Sequence, residues 1–197
     1  MSGGNISVVN GQVVGGSGST VVIGGSTVEI DAIVPEGSSV IGRTDSADVT
    51  ADGTFSAVAG NTQSGDIRIH GTNRQVTAAT QSGDVTVDDS PSISVRTQSG
   101  DVRLGRTDVV EAHTQSGDIT IKDFGGTAHL KTMSGDIEVH ATAGGDIDAS
   151  TMSGDIEVTA TQTALDGALD IRPHTMTGDI SLPRRRNTTG GPRRRRG

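Results

Sequence analysis

The amino-acid sequence predicts an all-β fold, a parallel β-solenoid in which one repeat of 17–19 residues forms one coil. Three observations support this prediction: a pentapeptide recurs, apolar residues alternate on either side of it, and the composition suits strands and turns. The 197 residues include 29 Gly, no Cys, Trp or Tyr, and only two Phe, and no long segment has helical apolar spacing. Because β-branched residues suit pleated strands and Gly suits tight turns, we do not expect a core built on aromatic residues.

The pentapeptide TQSGD gives way to TMSGD in the later repeats. Its Thr recurs at spacings of 18, 18, 17, 17, 18, 19 and 24 residues, as Thr44, Thr62, Thr80, Thr97, Thr114, Thr132, Thr151 and Thr175. We predict that Ser-Gly-Asp forms a tight corner, with Gly at positive φ and the Ser and Asp side chains bonded to local backbone N–H groups. The predicted corner residues are Gly65, Asp66, Gly83, Asp84, Gly100, Asp101, Gly117, Asp118, Gly135, Asp136, Gly154 and Asp155.

Two short strands are predicted to flank each corner. The fifth position after the Thr is always Val or Ile, the seventh is nearly always apolar, and the sixth is mostly polar or charged. This alternation is typical of a strand with one buried face, and a similar pattern before each Thr predicts a second strand. A unit of this size buries a core only by stacking on its neighbours, so equivalent residues should form ladders about 4.8 Å apart.

The Thr column is expected to point inward, with hydrogen bonds between coils. The next residue should point outward; it is Gln63, Gln81, Gln98 and Gln115 in the earlier coils, then Met133, Met152 and Met176. The turn opposite the corner varies in length, so the insertion near residues 163–167 is expected there.

Three regions are predicted along the chain. Residues 1–43 form a β-rich cap over the first coil, in which ISVV-NG-QVV at 6–14 predicts a hairpin with a turn at Asn10-Gly11. Residues 44–183 form the solenoid. Residues 184–197 form a disordered, Arg-rich tail, because Pro183 and the Arg run end the repeat pattern.

The net charge of −8 is unevenly distributed, since the tail carries +7 and the preceding residues −15. The tail arginines are Arg184, Arg185, Arg186, Arg193, Arg194, Arg195 and Arg196. Their guanidinium groups suit weak, non-specific binding to phosphates of nucleic acid or anionic lipid. The alternatives are a solubilising role and pairing with the acidic body. Because no aromatic residues interleave the arginines, base stacking is not expected.

The segment MSGGNISVV lacks the basic and apolar regions of a secretory signal, and no stretch approaches the roughly 18 apolar residues of a membrane span. We expect no transmembrane segment. A cytoplasmic location is expected if the chain is complete, and a cell-surface location is the alternative if it belongs to a longer protein.

The recurring Asp is the strongest candidate for chemistry. Stacked carboxylates could bind Ca²⁺, but such a site needs about 6–8 oxygen ligands, so a structural role is favoured. No base lies in register with the Thr column, and the five His residues do not cluster. Without Trp or Tyr, the aromatic platforms of a polysaccharide-degrading enzyme are missing. We therefore predict no catalytic, metal or cofactor site, and no enzyme activity.

The pattern T-x-S-G-D-[IV]-x-[VIL], preceded by VPEGSSV at 34–40, resembles a bacterial adhesin-type repeat family, a domain of unknown function. The resemblance covers about residues 28–182 and implies a right-handed β-helix and adhesion. A weaker resemblance, in coil length, is to bactofilins, which are cytoplasmic β-helical polymers.

Three non-catalytic functions are consistent with these observations. The first is an adhesin-like rigid binding module for an unknown protein or surface ligand. The second is a self-assembling, bactofilin-like scaffold, which would be a homo-oligomer. The third is an adaptor that binds nucleic acid or anionic membrane through the tail.

Overall fold

The computed structural model of the protein describes residues 3–9, 11–15, 19–22 and 29–184. These residues form eighteen strands and one helix of five residues, so the predicted all-β class is confirmed. Four strands precede the coils: β1 (Gly3–Val9), β2 (Gly11–Gly15), β3 (Ser19–Val22) and β4 (Glu29–Pro35).

Each coil contributes one strand to each of two parallel sheets. The pre-corner sheet, which leads into the Ser-Gly-Asp corners, contains β5 (Ser39–Thr44), β7 (Ala57–Asn61), β9 (Val76–Ala79), β11 (Ser92–Arg96), the second halves of β12 (Val102–His113) and β13 (Ile119–Lys131), β15 (Gly145–Ser153) and β17 (Leu169–Thr177). The post-corner sheet contains β6 (Val49–Asp52), β8 (Ile67–Thr72), β10 (Val85–Asp89), the first halves of β12 and β13, β14 (Ile137–Ala141), β16 (Ile156–Ala160) and β18 (Ile180–Ser181).

The coils stack in the register that the repeat predicts. One position of the pre-corner sheet pairs from coil to coil through Val40, Val58, Val76, Ile93, Val110, Ala128, Ile147 and Ile171. Eight equivalent positions make seven turns, and the pairing is parallel throughout, which confirms the solenoid.

Inward residues of both sheets form one continuous core. The columns that the alternation predicts to be inward are buried; Ile67 and Ile137, for example, are both 0% exposed. Burying each such side chain contributes about 1.5–3 kcal/mol to folding. The Thr column is buried as well, from Thr44 to Thr151, and Thr62 donates a hydrogen bond from Oγ1 to the carbonyl oxygen of Ala47 in the preceding coil.

The insertion lies in the turn opposite the corner, as predicted, but it forms a helix that was not predicted from the sequence. This helix, α1 (Gln162–Asp166), connects β16 to β17. Thr161 caps its first turn, because its Oγ1 accepts the backbone N–H of Ala164 at 3.3 Å. Ala164 is fully buried and anchors the helix to the core.

The N-terminal strands extend both sheets beyond the first coil, and the assignment of residues 1–43 as a cap stays a prediction. β1 pairs antiparallel with β6 and β4, and β2 pairs antiparallel with β5 and β3. The predicted hairpin at 6–14 is therefore wrong, because both edges of β1 and of β2 are already occupied by other strands. Asn10 lies outside the described residues. The domain boundaries at residues 43 and 183 stay predictions.

The other end of the solenoid is open within the described chain, since β17 and β18 pair only with the coil before them. Ile180 and Leu182 are 44% and 42% exposed, although their columns are buried in the earlier coils. In those coils the inward positions point their N–H groups towards the next coil; Thr132, for example, donates to Ser150 at 3.0 Å. Pro173 occupies such a position in β17, so no N–H faces the open edge at its centre.

Candidate interaction surface

The corner aspartates form a hydrogen-bonded ladder along the solenoid. Each Asp except the last, Asp179, accepts at Oδ1 the backbone N–H of the Asp one coil later, at 2.7–3.0 Å. The ladder runs through Asp48, Asp66, Asp84, Asp101, Asp118, Asp136, Asp155 and Asp179. The donor is thus on the next coil, whereas a donor within the same turn was expected. The Oδ2 atom of each Asp can therefore accept a hydrogen bond from a second partner.

The corner glycines are required mainly by close packing between coils. A Cβ on Gly100 would lie 2.0 Å from the carbonyl oxygen of Gly83, and the other corners have equivalent contacts. The expected positive φ occurs at Gly117, Gly135 and Gly154, at 145° to 156°. It does not occur at Gly65, Gly83 or Gly100, so the prediction is wrong there.

Two arginines bridge successive aspartates in the first half of the ladder. Arg68 donates to Oδ2 of Asp48 at 3.0 Å and of Asp66 at 2.5 Å. Arg103 donates to Oδ2 of Asp84 at 3.1 Å and of Asp101 at 2.7 Å. These hydrogen bonds raise the pKa of both guanidinium groups, and the largest contributions are the bond that Arg68 donates to Asp48 and the bond that Arg103 donates to Asp84. A guanidinium group therefore fits between two consecutive steps of this ladder.

The second half of the ladder has no such arginine. The position two residues after the Asp, which holds Arg68 and Arg103 in earlier coils, holds Glu138 and Glu157 here. We call the resulting set the acidic face: Asp118, Asp136, Glu138, Asp155, Glu157 and Asp179. All six side chains are exposed, and among the described residues none of them pairs with Lys, Arg or His.

An exposed methionine stripe flanks the acidic face. Met133, Met152 and Met176 are 47%, 50% and 70% exposed, and each lies three residues before a corner Asp. The same column holds exposed Gln in the four coils before Met133. Two columns thus change at the coil that begins with Thr132. In the column that follows the Thr, Gln is replaced by Met. In the column two residues after the Asp, Thr or Arg is replaced by Glu.

All five His residues are partly or largely exposed. His70 lies 3.0 Å from a carboxylate oxygen of Asp88, and His113 lies 3.2 Å from one of Glu111. Within the described ranges, no group of three or more His, Cys, Asp or Glu residues is arranged to hold a metal ion.

Two surface grooves in the described part of the chain differ in geometry from a catalytic site. The larger, about 320 Å³, lies beside Phe55 and Pro91, and among the described residues that line it Arg74 alone is ionisable. The smaller, about 220 Å³, contains His129 and Asp148, whose side chains are 3.9 Å apart. Ser150 also lines the smaller groove, but among the described residues no hydroxyl group of either groove is hydrogen-bonded to a base that a third group orients.

The predicted anion-binding tail is mostly outside the described chain. Arg184 is exposed at its end, and Arg185, Arg186, Arg193, Arg194, Arg195 and Arg196 follow beyond it. Across the described segments, no helix is long and apolar enough to span a membrane.

The columns, corners and stacking together define a repeat-type β-solenoid domain. The chain belongs to the Toastrack DUF4097 family, whose model matches residues 2–196. This confirms the predicted likeness to a repeat family of unknown function, while adhesion and the likeness to bactofilins stay predictions. The chain matches no curated protein and no solved structure.

The acidic face and the methionine stripe were not predicted as a site. The outward position of the Gln and Met column is predicted from the sequence, whereas the simultaneous change of this column and of the position two residues after the Asp is not. The signal that identifies the surface is a difference between repeats: two neighbouring columns change chemistry at the same coil.

Proposed function

We propose that the protein is a non-catalytic interaction module that binds a partner through the acidic face and the methionine stripe. The coincident change of these two columns carries the proposal. The inward columns keep their apolar character across the same coils, so folding does not require the change. An adhesin-like role, in which a rigid rod presents this surface to another macromolecule, is one form of this function.

The chemistry of the surface favours a basic partner segment that also carries apolar side chains. Six exposed carboxylates without ion partners attract Arg or Lys and disfavour polyanions. Exposed methionines are flexible and polarisable, and they are common on surfaces that adapt to apolar side chains. Flat strands with few aromatic residues favour an extended peptide over a small molecule.

A labelled peptide in which Arg and Leu alternate tests this function with matched variants of the full chain. In one variant, Met133, Met152 and Met176 are replaced by Gln, the residue that earlier coils hold in this column. In the other, Glu138 and Glu157 are replaced by Thr, as at Thr86 and Thr120. We expect each variant to bind the peptide about 10-fold more weakly, a loss of about 1.4 kcal/mol, in fluorescence anisotropy.

Replacing Gln63, Gln81 and Gln98 by Glu is the control, because it adds charge away from the acidic face. Equal affinity for the wild type and both surface variants would refute the proposed function.

The alternative role as a self-assembling scaffold has less support from the ends of the solenoid. β1 and β2 occupy the edges of β6 and β5, and Pro173 removes an edge donor from β17. Natural sheets use such features to prevent edge-to-edge association. Sedimentation velocity should therefore show a monomer, and filaments would favour the scaffold.

A further inference from the structure

We propose that the acidic face binds the Arg-rich tail of this same chain, residues 185–197, so that the tail covers the partner surface. The inference rests on the proposed function, because it names an occupant for the same surface. The occupant is chosen for three reasons: the chemistry of the ladder, the charge of the two parts, and the place where the described chain ends.

The first reason is that the ladder already binds arginine elsewhere in the molecule. Arg68 and Arg103 each contact Oδ2 of two consecutive aspartates at 2.5–3.1 Å. Asp118, Asp136 and Asp155 belong to the same ladder, and their Oδ1 atoms accept the same kind of backbone bond. Their Oδ2 atoms have no arginine partner within the described chain. The tail provides the same guanidinium group.

The second reason is charge complementarity. The acidic face has six carboxylates, and residues 185–197 have six arginines and no acidic side chain. A single exposed ion pair contributes only about 0–1 kcal/mol, but several pairs within one contact add to a measurable stabilisation. Lys122 lies on the same outward side as the acidic face, and its single charge does not balance the carboxylates.

The third reason is position. Ser181, in the last strand, pairs in register with Glu157, which itself pairs with Glu138, so the tail leaves the solenoid beside the acidic face. From Asp118 to Asp179 is three coil steps, or about 14 Å. Thirteen residues extend up to about 43 Å, so the tail can span the face in an extended conformation. The short connection also gives a local arginine concentration on the order of millimolar.

Tryptic cleavage of the tail in the full chain measures this contact directly, because bound arginines are protected. We expect replacement of Glu138 and Glu157 by Thr to accelerate cleavage after the tail arginines at least about fivefold. A control with the same charge change, Glu36→Gln with Asp108→Asn, should leave the rate unchanged. Salt near 0.5 M should remove the protection of the wild type, since it shortens the screening length to about 4 Å. A free peptide of the tail sequence corrects for intrinsic cleavage.

A second measurement separates the inference from the proposed function. Replacing the six arginines of residues 185–197 by Gln in the full chain should increase affinity for the Arg-Leu peptide by about 10-fold, because the intramolecular competitor is lost. If tail cleavage and peptide affinity are both insensitive to these changes while the surface variants still bind the peptide weakly, the tail contact is refuted and the proposed function stands.

If the surface substitutions also fail to weaken peptide binding in the chain whose tail arginines are replaced by Gln, both ideas are refuted. Salt-sensitive binding of duplex DNA by the tail at about 150 mM salt, equally strong with and without Glu138 and Glu157, would also refute the tail contact. Arginines held on the acidic face would not be free for phosphate, and their release by the Glu substitutions would increase DNA binding.

Discussion

At the residue scale, the recurring pentapeptide is explained by contacts between coils. The corner Gly has no Cβ because the carbonyl oxygen of the preceding corner occupies that space, at 1.9–2.1 Å. This contact also explains the degenerate first repeat, in which Ala47 replaces Gly. The first coil follows no earlier Ser-Gly-Asp corner, so a methyl group is tolerated there.

The close contact predicts that Gly100→Ala destabilises the protein. The new Cβ would lie 2.0 Å from the oxygen of Gly83, so the coils must separate locally, at a cost of about 1–3 kcal/mol or more. Urea denaturation measures the change. The matched control is Ala47→Gly, which should cost about 1 kcal/mol or less. Similar losses in both variants would contradict the steric explanation.

The Asp ladder predicts that, in the second half of the solenoid, the hydrogen-bond acceptor of the Asp side chain contributes more to stability than its negative charge. Asp118→Asn keeps an oxygen that can accept the N–H of Asp136, now bonded at 2.8 Å. Asp118→Ala removes it and should cost about 0.5–1.5 kcal/mol more than the Asn variant, as measured by the free energy of unfolding. Equal stabilities of the two variants would mean that the ladder bond does not contribute.

A network in the turn opposite the corner predicts acid sensitivity. Asp123 accepts hydrogen bonds from Thr142 and from Nε of Arg106, the latter at 3.0 Å. The Thr142 bond first, and then the Arg106 bond, lower the pKa of Asp123. A carboxyl group with a lowered folded pKa stabilises the protein above its unfolded pKa, near 3.9, and this contribution is lost as the pH falls through the folded value.

Asp123→Asn should therefore reduce the difference in unfolding free energy between about pH 6 and pH 3. Denaturation at several pH values gives this difference for the wild type and the variant. Asp146→Asn is a control near the same turn, because the exposed Asp146 side chain has no hydrogen bond or ion pair within the described part of the chain. An unchanged pH dependence in Asp123→Asn would show that the network does not act on stability.

At the element scale, the two ends of the solenoid are protected in different ways. Antiparallel strands cover the first coil, whereas β17 is an uncovered edge whose central position is Pro173. The equivalent positions of earlier coils are apolar residues that have an N–H, such as Ala149. A proline there weakens the edge as a template for another strand.

Pro173→Ala should therefore promote association through the open edge. The substitution restores a backbone N–H at the open edge of β17. It also keeps a small side chain in the inward column that contains Ala149. We expect a larger fraction of dimer or higher oligomer in sedimentation velocity, and an unchanged β-sheet circular dichroism spectrum. His174→Ala alters the same strand without adding a donor and should stay monomeric. An equally monomeric Pro173→Ala variant would show that the edge is protected by other means.

At the scale of the whole molecule, the features that all coils share were predicted from the sequence, and the features that distinguish one part of the solenoid from another were not. The buried columns follow from apolar alternation, because each coil has the same neighbours. The helix α1 was missed, because its stability depends on the burial of Ala164. The predicted pairing of β1 with β2 was wrong, because a local Asn-Gly turn signal does not show which sheet edges are available to a strand. The candidate surface was missed, because it exists only as a contrast between early and late coils.

The equivalence of the coils leads to a prediction about the complete fold. Deleting residues 80–96, which make up one coil of 17 residues, should leave a folded solenoid with six turns. Ile67 would then stack on Val102, and Val76 on Val110, so each new contact repeats one that already exists. Stability in a solenoid is approximately a sum over repeats and their interfaces, so the shorter protein should melt cooperatively at a lower temperature.

A deletion of residues 80–88 is the control, because it removes half a coil, namely one corner and most of β10, so that two strands of the pre-corner sheet follow one another directly. This variant should lose the cooperative melt, since apolar residues of every later coil would face the wrong neighbours. Circular dichroism melts and size-exclusion chromatography distinguish the outcomes. Equal disruption by both deletions would mean that the coils are not interchangeable, and that specific features, such as the pairing of Arg103 with Asp84, are needed to join the two halves of the solenoid.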